Sequence, residues 1–156
     1  MKQNWLITEI SYTDIDFIWR EHLWPRRTSA YETHSAMTWP YTSEQVYDMS
    51  IFDYEAIYWG CYDSDRLVGV NSGHATSESE YRSRGLWVDP DYRSQGMGIT
   101  LLTKTVMYAE SQGYEMVWSL PRVSALPTYH TVGFQDQGPV ISTETSDQNQ
   151  YVRLYF

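Results

Sequence analysis

The feature that most constrains this 156-residue chain is a predicted strand that stops at a proline and is followed at once by a glycine-rich helix start. Residues 81–88 are predicted to form a strand that ends at Asp89-Pro90, and a helix is predicted from about 95 to 112. The first N–H groups of such a helix have no partners within it and lie at the positive end of its dipole. Gly96 and Gly98 remove side chains where the backbone would approach a ligand closely.

Arg93 precedes these glycines and adds a cationic fork that is suited to phosphate oxygens. The junction therefore predicts a pyrophosphate cradle in front of the helix. The two glycines alone are weak evidence, because position 101 is Leu and the dinucleotide fingerprint requires a third glycine there. Two other interpretations stay open: the loop holds a different phosphorylated ligand, such as a nucleotide, or the glycines only allow the helix to pack closely on a sheet.

The order of predicted elements is typical of a single-domain α/β fold, with a mixed, mostly antiparallel sheet flanked by helices. A length of 156 residues and 42% hydrophobic residues suit one domain spanning 1–156, and no linker or repeat divides the chain. Helices are predicted over 12–24, 43–52, 95–112 and 126–132, and strands over 56–62, 67–75, 81–88, 115–120, 134–142 and 150–156.

Apolar residues at helical spacing predict which faces of the helices are buried. Ser43 is predicted to cap the second helix, with Val46 and Met49 facing inward, and Ile99 is predicted to open the buried stripe of the third helix. Gly85 lies inside a predicted strand, which indicates a bulge or a close approach of the backbone.

The charge and the cysteine content limit the possible binding partners and the cellular compartment. The formal net charge of −9 argues against nonspecific binding to nucleic acid. No apolar run is long enough to span a membrane, and the N-terminus lacks the pattern of a cleaved signal. The single cysteine, Cys61, agrees with a reducing cytosol, so a cytoplasmic protein without membrane partners is predicted. The chain has no zinc-binding motif and no phosphate-loop lysine motif, and no metal is predicted.

Two segments of the chain resemble the GCN5-related N-acetyltransferases, the GNAT family. The family signature, Arg/Gln-x-x-Gly-x-Gly/Ala between a strand and a helix, is matched by residues 93–98. Downstream, residues 125–134 look like the family's segment with an alanine, a tyrosine and a Gly-Phe pair. A strand predicted at 116–120 separates the two motifs as expected, and the resemblance covers about residues 55–156. It implies an acyl-CoA N-acyltransferase-like fold and a single acetyltransferase domain.

The resemblance implies acetyl-CoA as the donor and a primary amine of a small molecule as the acceptor, with direct attack in a ternary complex. Backbone groups of Leu86, Trp87 and Val88 are expected to pair with the pantetheine arm as an extra strand. Many relatives dimerise, so a homodimer is compatible with the resemblance. The pyrophosphate is expected to lie on Arg93, Ser94, Gln95, Gly96, Met97, Gly98, Ile99 and Thr100.

The resemblance also points to catalytic side chains. Tyr129 matches the tyrosine that hydrogen-bonds or protonates the coenzyme A sulfur, although a Tyr at this place also packs well in a core. Arg82 stands where several relatives carry a glutamate, so another group must serve as general base. His74 is the first candidate, because imidazole titrates near neutral pH, with Glu78 and Glu80 as alternatives. A hydrogen-bonded structural histidine is the other interpretation of His74.

Arg82 and Arg84 are expected on one face of their strand, since side chains alternate along it. They could bind an acidic group on the acceptor, such as an amino-acid carboxylate, or be paired surface charges. The N-terminal region, with residues such as His22 and Trp24, usually closes over the acceptor in this family. The missing glutamate leaves a second function open, a non-catalytic acyl-CoA-binding sensor or scaffold with the same fold.

Overall fold

A seven-stranded sheet organises the computed structural model, which describes residues 5–27, 31–40, 46–142 and 148–156. Three α-helices in these ranges pack against the two faces of the sheet. The helices are α1 (Tyr12–Ile18), α2 (Met97–Ser111) and α3 (Leu126–Val132). The strands are β1 (Ile7–Ile10), β2 (Ala56–Asp63), β3 (Arg66–Ala75), β4 (Glu80–Val88), β5 (Met116–Ser119), β6 (Gln135–Ser142) and β7 (Gln148–Tyr155).

The strands follow the order β1-β2-β3-β4-β5-β7-β6, and within this described sheet all neighbours are antiparallel except β4 and β5. The predicted mixed, mostly antiparallel sheet flanked by helices is thereby confirmed. β4 and β5 pair from Glu80–Met116 to Arg82–Trp118 and then separate. This early separation opens a gap in the middle of the sheet.

The two faces of the sheet carry separate apolar cores. On one face, Leu102 and Val106 of α2 pack with Tyr129 of α3. On the other face, Ile15 of α1 packs with Tyr58 of β2. Burying a side chain of this size contributes about 1.5–3 kcal/mol, so these contacts hold both helix layers on the sheet.

β4 bulges at Gly85, as the sequence predicts. Gly85 has a φ of +79°, and the register between β3 and β4 shifts between Val70 and Ser72. The Trp19 indole N–H donates to the Gly85 carbonyl at 3.0 Å, and a Cβ at this glycine would overlap the indole. The β4–β5 pairing already ends at Arg82, so the bulge lies in the unpaired part of β4 and changes the direction of the strand there.

The helix predicted over 43–52 is wrong within the described residues. Tyr47 lies in an isolated β-bridge, and a short 3-10 turn covers Met49–Asp53. The Asp48 side chain accepts from the Ser50 N–H at 3.0 Å and begins that turn. Such a local bond offers the backbone an alternative to a continuous helix.

Side-chain expectations in two helices also need correction. Val46 and Met49 are exposed, and Ile51 is fully buried instead, because a 3-10 turn presents different residues to the core than an α-helix does. Ile99 is 38% exposed, because the first turn of α2 faces a cavity rather than the sheet. The predicted cap Ser43 lies outside the described residues.

Two further elements differ from the sequence prediction. The four-residue edge strand β1 is not predicted; it pairs only with β2 in the described sheet. The helix predicted over 12–24 is divided, because α1 ends at Ile18 and a single π-helical turn, Trp19–Leu23, continues it. The other helices and strands lie within a few residues of their predicted positions.

Gly85→Ala is expected to destabilise the protein by about 2–5 kcal/mol, because a left-handed backbone costs about 1–2 kcal/mol and the new methyl group would also overlap Trp19. Gly138→Ala is the matched control, since Gly138 has a φ of +74° and its added Cβ would meet no described atom within 4 Å. Urea unfolding of both variants measures the difference. Equal losses would contradict the packing role of Gly85.

Candidate active site

A cavity of about 580 Å³ occupies the gap between β4 and β5. Its wall includes the start of α2, part of α3, the loop after β5 and the end of the π-helical turn. The predicted cofactor residues that line it are Leu86, Trp87, Val88, Arg93, Ser94, Gly96, Met97, Gly98 and Ile99.

Two of the predicted cofactor residues do not line the cavity. The Gln95 side chain donates to the Asp91 carbonyl at 3.4 Å, and the Gln95 backbone carbonyl accepts from the Trp5 indole. The Thr100 hydroxyl donates to the Gly96 carbonyl at 3.0 Å. Both side chains stabilise the loop and the helix start instead of the cavity wall.

The start of α2 leaves N–H groups free. The bond from the Thr100 N–H to the Gly96 carbonyl, at 3.0 Å, is the first of the helix, so the N–H groups of residues 97–99 have no partner within it. The first turn carries no acidic residue, and the exposed Arg93 lies just before it. Positive charge therefore gathers at this end of the cavity.

Neither glycine of the predicted cradle is required for packing on the sheet. A Cβ at Gly96 would meet no described atom within 4 Å, and one at Gly98 would meet Thr128 and Val88 at the ordinary contact distances of 3.6 and 3.7 Å. Gly96 is instead required by its backbone, which has a φ of +85°. The interpretation that these glycines only allow close packing therefore loses its basis, and the space in front of the helix is open to a ligand.

Beyond the bulge, β4 has a backbone edge without a strand partner. Residues 86–88 pair with β3 through Val70–Trp87 and Gly69–Val88, and with no described strand on the other side. Arg93 Nε donates to the Val88 carbonyl at 2.9 Å, which connects this strand end to the loop before α2. An edge of this kind can accept an extended ligand as an additional strand.

Tyr129 belongs both to the cavity wall and to the core. Its side chain is 2% exposed, and its ring meets the Phe134 ring edge-on at 5.4 Å. Burial raises the pKa of the phenol to about 12, against the opposing influence of the Ser119 and Ser83 hydroxyls and the Arg82 charge. The phenol therefore keeps its proton at neutral pH.

His74 lies within the packing of the sheet and not in the cavity wall. It is fully buried, its Nδ1 lies 3.0 Å from the Ala75 carbonyl, and its Nε2 accepts from the Ser35 N–H at 3.3 Å. Burial holds the pKa of the imidazole well below its usual range, with a smaller contribution from the Arg82 and Arg84 charges. These contacts favour the structural interpretation of His74 over the role of a base.

Arg82 and Arg84 line the cavity, and at 8% and 4% exposure they are not the surface charges of the alternative interpretation. The Arg82 guanidinium lies over the Trp118 ring at 4.7 Å, and that of Arg84 lies over the Trp19 ring at the same distance. Arg84 also donates to the Glu32 carbonyl at 3.0 Å. Burial lowers the pKa of Arg82 to about 10 and that of Arg84 to about 9, so both remain charged at neutral pH.

Three polar residues of the wall carry no sequence signal that marks them as functional: Ser83, Ser119 and Asn149. The Ser119 hydroxyl donates to the Ser83 carbonyl at 2.7 Å, which joins β5 to β4 where the two strands separate. Asn149 Nδ2 donates to the Leu120 carbonyl at 3.1 Å, and Asn149 Oδ1 is buried with no partner in the described part of the chain. An isolated bridge with Arg122 brings Asn149 to this place, and so distant a pairing is not readable from local sequence.

The π-helical turn closes one side of the cavity. The His22 ring stacks on the Trp87 ring at 5.0 Å, and Arg122 donates to the Leu23 carbonyl. Trp24, which follows the turn, also lines the cavity. The N-terminal region thus contacts Trp87 of β4 on one side of the cavity and the loop after β5 on the other. Glu78 and Glu80 do not line the cavity.

The splayed sheet, the open helix start and the cavity between them define an α/β fold of the acyl-CoA N-acyltransferase type. The sequence model of the Acetyltransferase (GNAT) family matches residues 17–134, and the chain belongs to this family. No curated protein matches the sequence significantly.

Solved structures of acetyltransferases share this fold. An aminoglycoside 6'-N-acetyltransferase complexed with coenzyme A has a TM-score of 0.68 at 13% identity, over 96% of this chain and 96% of its own. Ard1 from Thermoplasma volcanium has a TM-score of 0.69 at 18% identity, over 98% of both chains. The ribosomal-protein-S18-alanine N-acetyltransferase from Escherichia coli has a TM-score of 0.62 at 15% identity, over 97% of this chain and 94% of its own. At these identities the likeness establishes the fold alone.

Other features bear on alternative chemistry. Across the described ranges, no helix has the length and apolar character needed to cross a membrane. The same ranges contain no group of three or more side chains that could hold a metal ion. Cys61 is buried in β2, and burial raises the pKa of its thiol, which makes it a poor nucleophile.

Lowering the pH below about 6.5 is expected to destabilise the protein through His74. The folded state keeps this imidazole neutral because burial lowers its pKa, whereas the unfolded chain takes up a proton. The unfolded state then binds more protons than the folded state. The free energy of unfolding therefore decreases as the pH is lowered, by up to about 1.4 kcal/mol per pH unit for each such histidine.

His74→Gln should reduce the dependence of the free energy of unfolding on pH by the contribution of one histidine. Urea unfolding between pH 7 and pH 5 measures this dependence. His34→Gln is the matched comparison, because burial also lowers the pKa of His34. If His74→Gln kept the wild-type slope, the buried neutral state of His74 would be wrong.

Proposed function

We propose that this protein transfers an acetyl group from acetyl-CoA to a primary amine of a small molecule, by direct attack in a ternary complex. The observation that carries the proposal is that one cavity connects the open start of α2 with Tyr129. Membership of the acetyltransferase family supports this chemistry.

The start of α2 supports the identity of the donor. The free N–H groups of residues 97–99, the cation of Arg93 and the space beside Gly98 suit a pyrophosphate group. The unpaired edge of residues 86–88 suits the amide groups of the pantetheine arm. A structural neighbour, the aminoglycoside 6'-N-acetyltransferase, is complexed with coenzyme A.

The chemistry requires one proton to be moved. The amine attacks the thioester carbonyl, a C–N bond forms, the C–S bond breaks, and the sulfur leaves as a thiolate that needs a proton. Tyr129 supplies this proton, since its phenol lies in the cavity wall and is protonated at neutral pH. A backbone N–H of residues 86–88 polarises the carbonyl. The proton that the amine loses restores the phenol through water.

The acceptor amine must be neutral in order to attack. Among the described lining residues, none is a carboxylate, and His22 is the only imidazole. The positive charges of Arg82 and Arg84 in the same cavity disfavour a further cation there, which favours the neutral form of the amine and reduces the need for a strong base. We therefore assign the deprotonation to His22 or to water at the mouth of the cavity, and not to His74.

The boundaries of the cavity support a small acceptor. Arg122 and the Leu23 carbonyl join the loop after β5 to the π-helical turn and bound the cavity on that side. A volume of about 580 Å³ must hold both the acyl arm and the acceptor. A cytoplasmic location and a homodimer remain predictions of the sequence.

A second candidate function is a non-catalytic acyl-CoA-binding sensor or scaffold. The observation that favours it is the lack of a carboxylate among the described residues of the wall. Arg82 occupies the strand position at which several relatives carry a glutamate. A measurement of acetyl transfer distinguishes the two functions, because a sensor or scaffold would bind acyl-CoA without turnover.

Saturating acetyl-CoA is expected to raise the melting temperature by about 5–10 °C, because a ligand at 100 times its dissociation constant adds about 2.7 kcal/mol to a domain of this size. ATP at the same concentration should give no comparable shift, since it lacks the pantetheine arm. A shift with ATP alone would instead favour a nucleotide-binding loop.

Ile99→Glu should weaken coenzyme A binding at least about tenfold, because it places a carboxylate beside the pyrophosphate in the first turn of α2. Ile99→Gln is the matched neutral control and should bind more tightly than Ile99→Glu. Both variants should fold, since Ile99 is 38% exposed and an acid in a first turn stabilises a helix. Equal affinities of the two variants for coenzyme A, measured by calorimetry, would contradict the placement of the pyrophosphate at the start of α2.

Tyr129→Phe should lower kcat by about 100-fold or more while coenzyme A binding is kept, because general acid catalysis contributes about 10²–10⁴-fold. The ring and its core contacts are retained, so the melting temperature should change little. Tyr81→Phe is the matched control, since Tyr81 is buried away from the cavity and its hydroxyl has no partner. The rate of thiol release from acetyl-CoA is measured for both variants. An unchanged kcat in Tyr129→Phe would contradict the role of Tyr129 as proton donor.

A further inference from the structure

Two positive charges are buried side by side in the cavity wall, on the side of β4 away from the start of α2. Arg82 and Arg84 flank Ser83, so both point to the same face of the strand. Aromatic rings lie under each guanidinium, and these rings account for the low exposure of both side chains. No carboxylate of the described residues forms an ion pair with either guanidinium.

Part of the Arg82 guanidinium is unsatisfied. Its Nε and Nη1 atoms are buried, and neither has a hydrogen-bond partner among the described residues. In the part of the chain that the structure describes, neither Arg82 nor Arg84 forms an ion pair. The great majority of buried polar groups in proteins have a hydrogen-bond partner, and buried charges are paired or bound to a ligand. An unsatisfied buried cation in a cavity wall therefore indicates a site for an anion.

The phosphates of coenzyme A do not account for this anion. Arg82 lies six residues before Val88, which is roughly 20 Å along a strand at about 3.3 Å per residue. The cradle at the start of α2 lies beyond Val88, at the other end of the cavity. The anion that Arg82 meets must therefore belong to the other substrate.

A second unsatisfied group lines the same cavity. Asn149 Oδ1 is buried and meets no hydrogen-bond partner within the ranges that the structure describes, and the bond from Asn149 Nδ2 to the Leu120 carbonyl fixes the orientation of the amide. The cavity thus offers unused N–H donors on Arg82 and an unused oxygen acceptor on Asn149. Donors match a carboxylate and an acceptor matches an amine, which are the two polar groups of an amino acid.

We infer that the acceptor is an amino carboxylate, with its carboxylate bound by Arg82 and Arg84 and its amine facing Asn149 Oδ1. This inference rests on the proposed acetyl transfer and names the chemical class of its acceptor. Arg84 lies two residues before Leu86, roughly 7 Å along the strand. So short a distance to the proposed thioester region suits an acceptor whose carboxylate is close to its amine, as in α- and β-amino acids.

An oxyanion on the acceptor could also be a phosphate monoester. The protein carries a formal net charge of −9, which repels a dianion more strongly than a monoanion. We therefore assign a carboxylate, and the test includes phosphate acceptors to distinguish the two.

The experiment measures thiol release from acetyl-CoA with the free amino acids and β-alanine, their carboxamides, the corresponding decarboxylated amines, and ethanolamine phosphate. The best amino acid is expected to have a kcat/KM at least about 30-fold above that of its own carboxamide, because charge-assisted hydrogen bonds are lost in the amide. A carboxamide or amine as good as the acid would overturn the inference. A phosphate acceptor that exceeds every carboxylate would overturn the carboxylate assignment.

The acid-to-amide ratio is the kcat/KM of the best amino acid divided by that of its own carboxamide. Arg82→Met should reduce this ratio to about 3 or less, mainly through KM, and Arg82→Lys should restore part of it. The melting temperature of unliganded Arg82→Met should equal or exceed that of the wild type, since an unpaired buried charge is removed. A large fall in melting temperature with an unchanged ratio would show that Arg82 is structural.

Arg153→Met is the matched control. Arg153 lies on β7 opposite Trp118, its guanidinium also contacts aromatic rings, and it does not line the cavity. Its acid-to-amide ratio should equal that of the wild type. A ratio that falls as much as in Arg82→Met would mean that any loss of arginine produces the effect.

A binding measurement separates this inference from the proposed function. If no acceptor is turned over although acetyl-CoA raises the melting temperature, the proposed transfer fails, and the anion site is tested with N-acetyl amino acids against N-acetyl amino acid amides. Stabilisation by at least one of the acids, absent with its amide and absent in Arg82→Met, would support the site. No stabilisation by any acid would overturn it.

Discussion

The hydrogen bond between the Trp19 indole and the Gly85 carbonyl is the contact on which the site depends. It holds β4 in a bulge at a glycine that has no room for a side chain. The bulge lies within the part of β4 that no longer pairs with β5, where residues 86–88 present a free backbone edge to the cavity. The helix layer on the α1 face is therefore part of the site.

Elements with local signals were predictable from the sequence, and elements that depend on distant partners were not. The end of β4 at Asp89-Pro90 and the start of α2 after Gly96 follow from backbone chemistry that each residue carries with it. The helix predicted over 43–52 is wrong because Asp48 offers a local hydrogen bond that apolar spacing does not reveal. The edge strand β1 owes its pairing to β2, which lies far along the chain.

The candidate site divides in the same way. The cradle is contiguous in sequence, so its glycines and Arg93 could be identified together, and nine of the predicted cofactor residues line the cavity. The placement of His74 depends on the register of β3, where a slip of one residue would turn the side chain to the opposite face. The burial of Arg82 comes from its contact with Trp118 on another strand, which no alternation pattern contains. Asn149 reaches the cavity only through the fold of the C-terminal strands.

The π-helical turn Trp19–Leu23 makes the length of this segment a constraint on the protein. A π-turn holds about one residue more than an α-helical turn, and one residue corresponds to about 100° of rotation. A deletion here would let the segment relax into a regular α-helix, and the residues after it would rotate as a block. His22 would leave the Trp87 ring, and the Leu23 carbonyl would leave Arg122. Natural variation should therefore change the residues of this turn far more readily than their number.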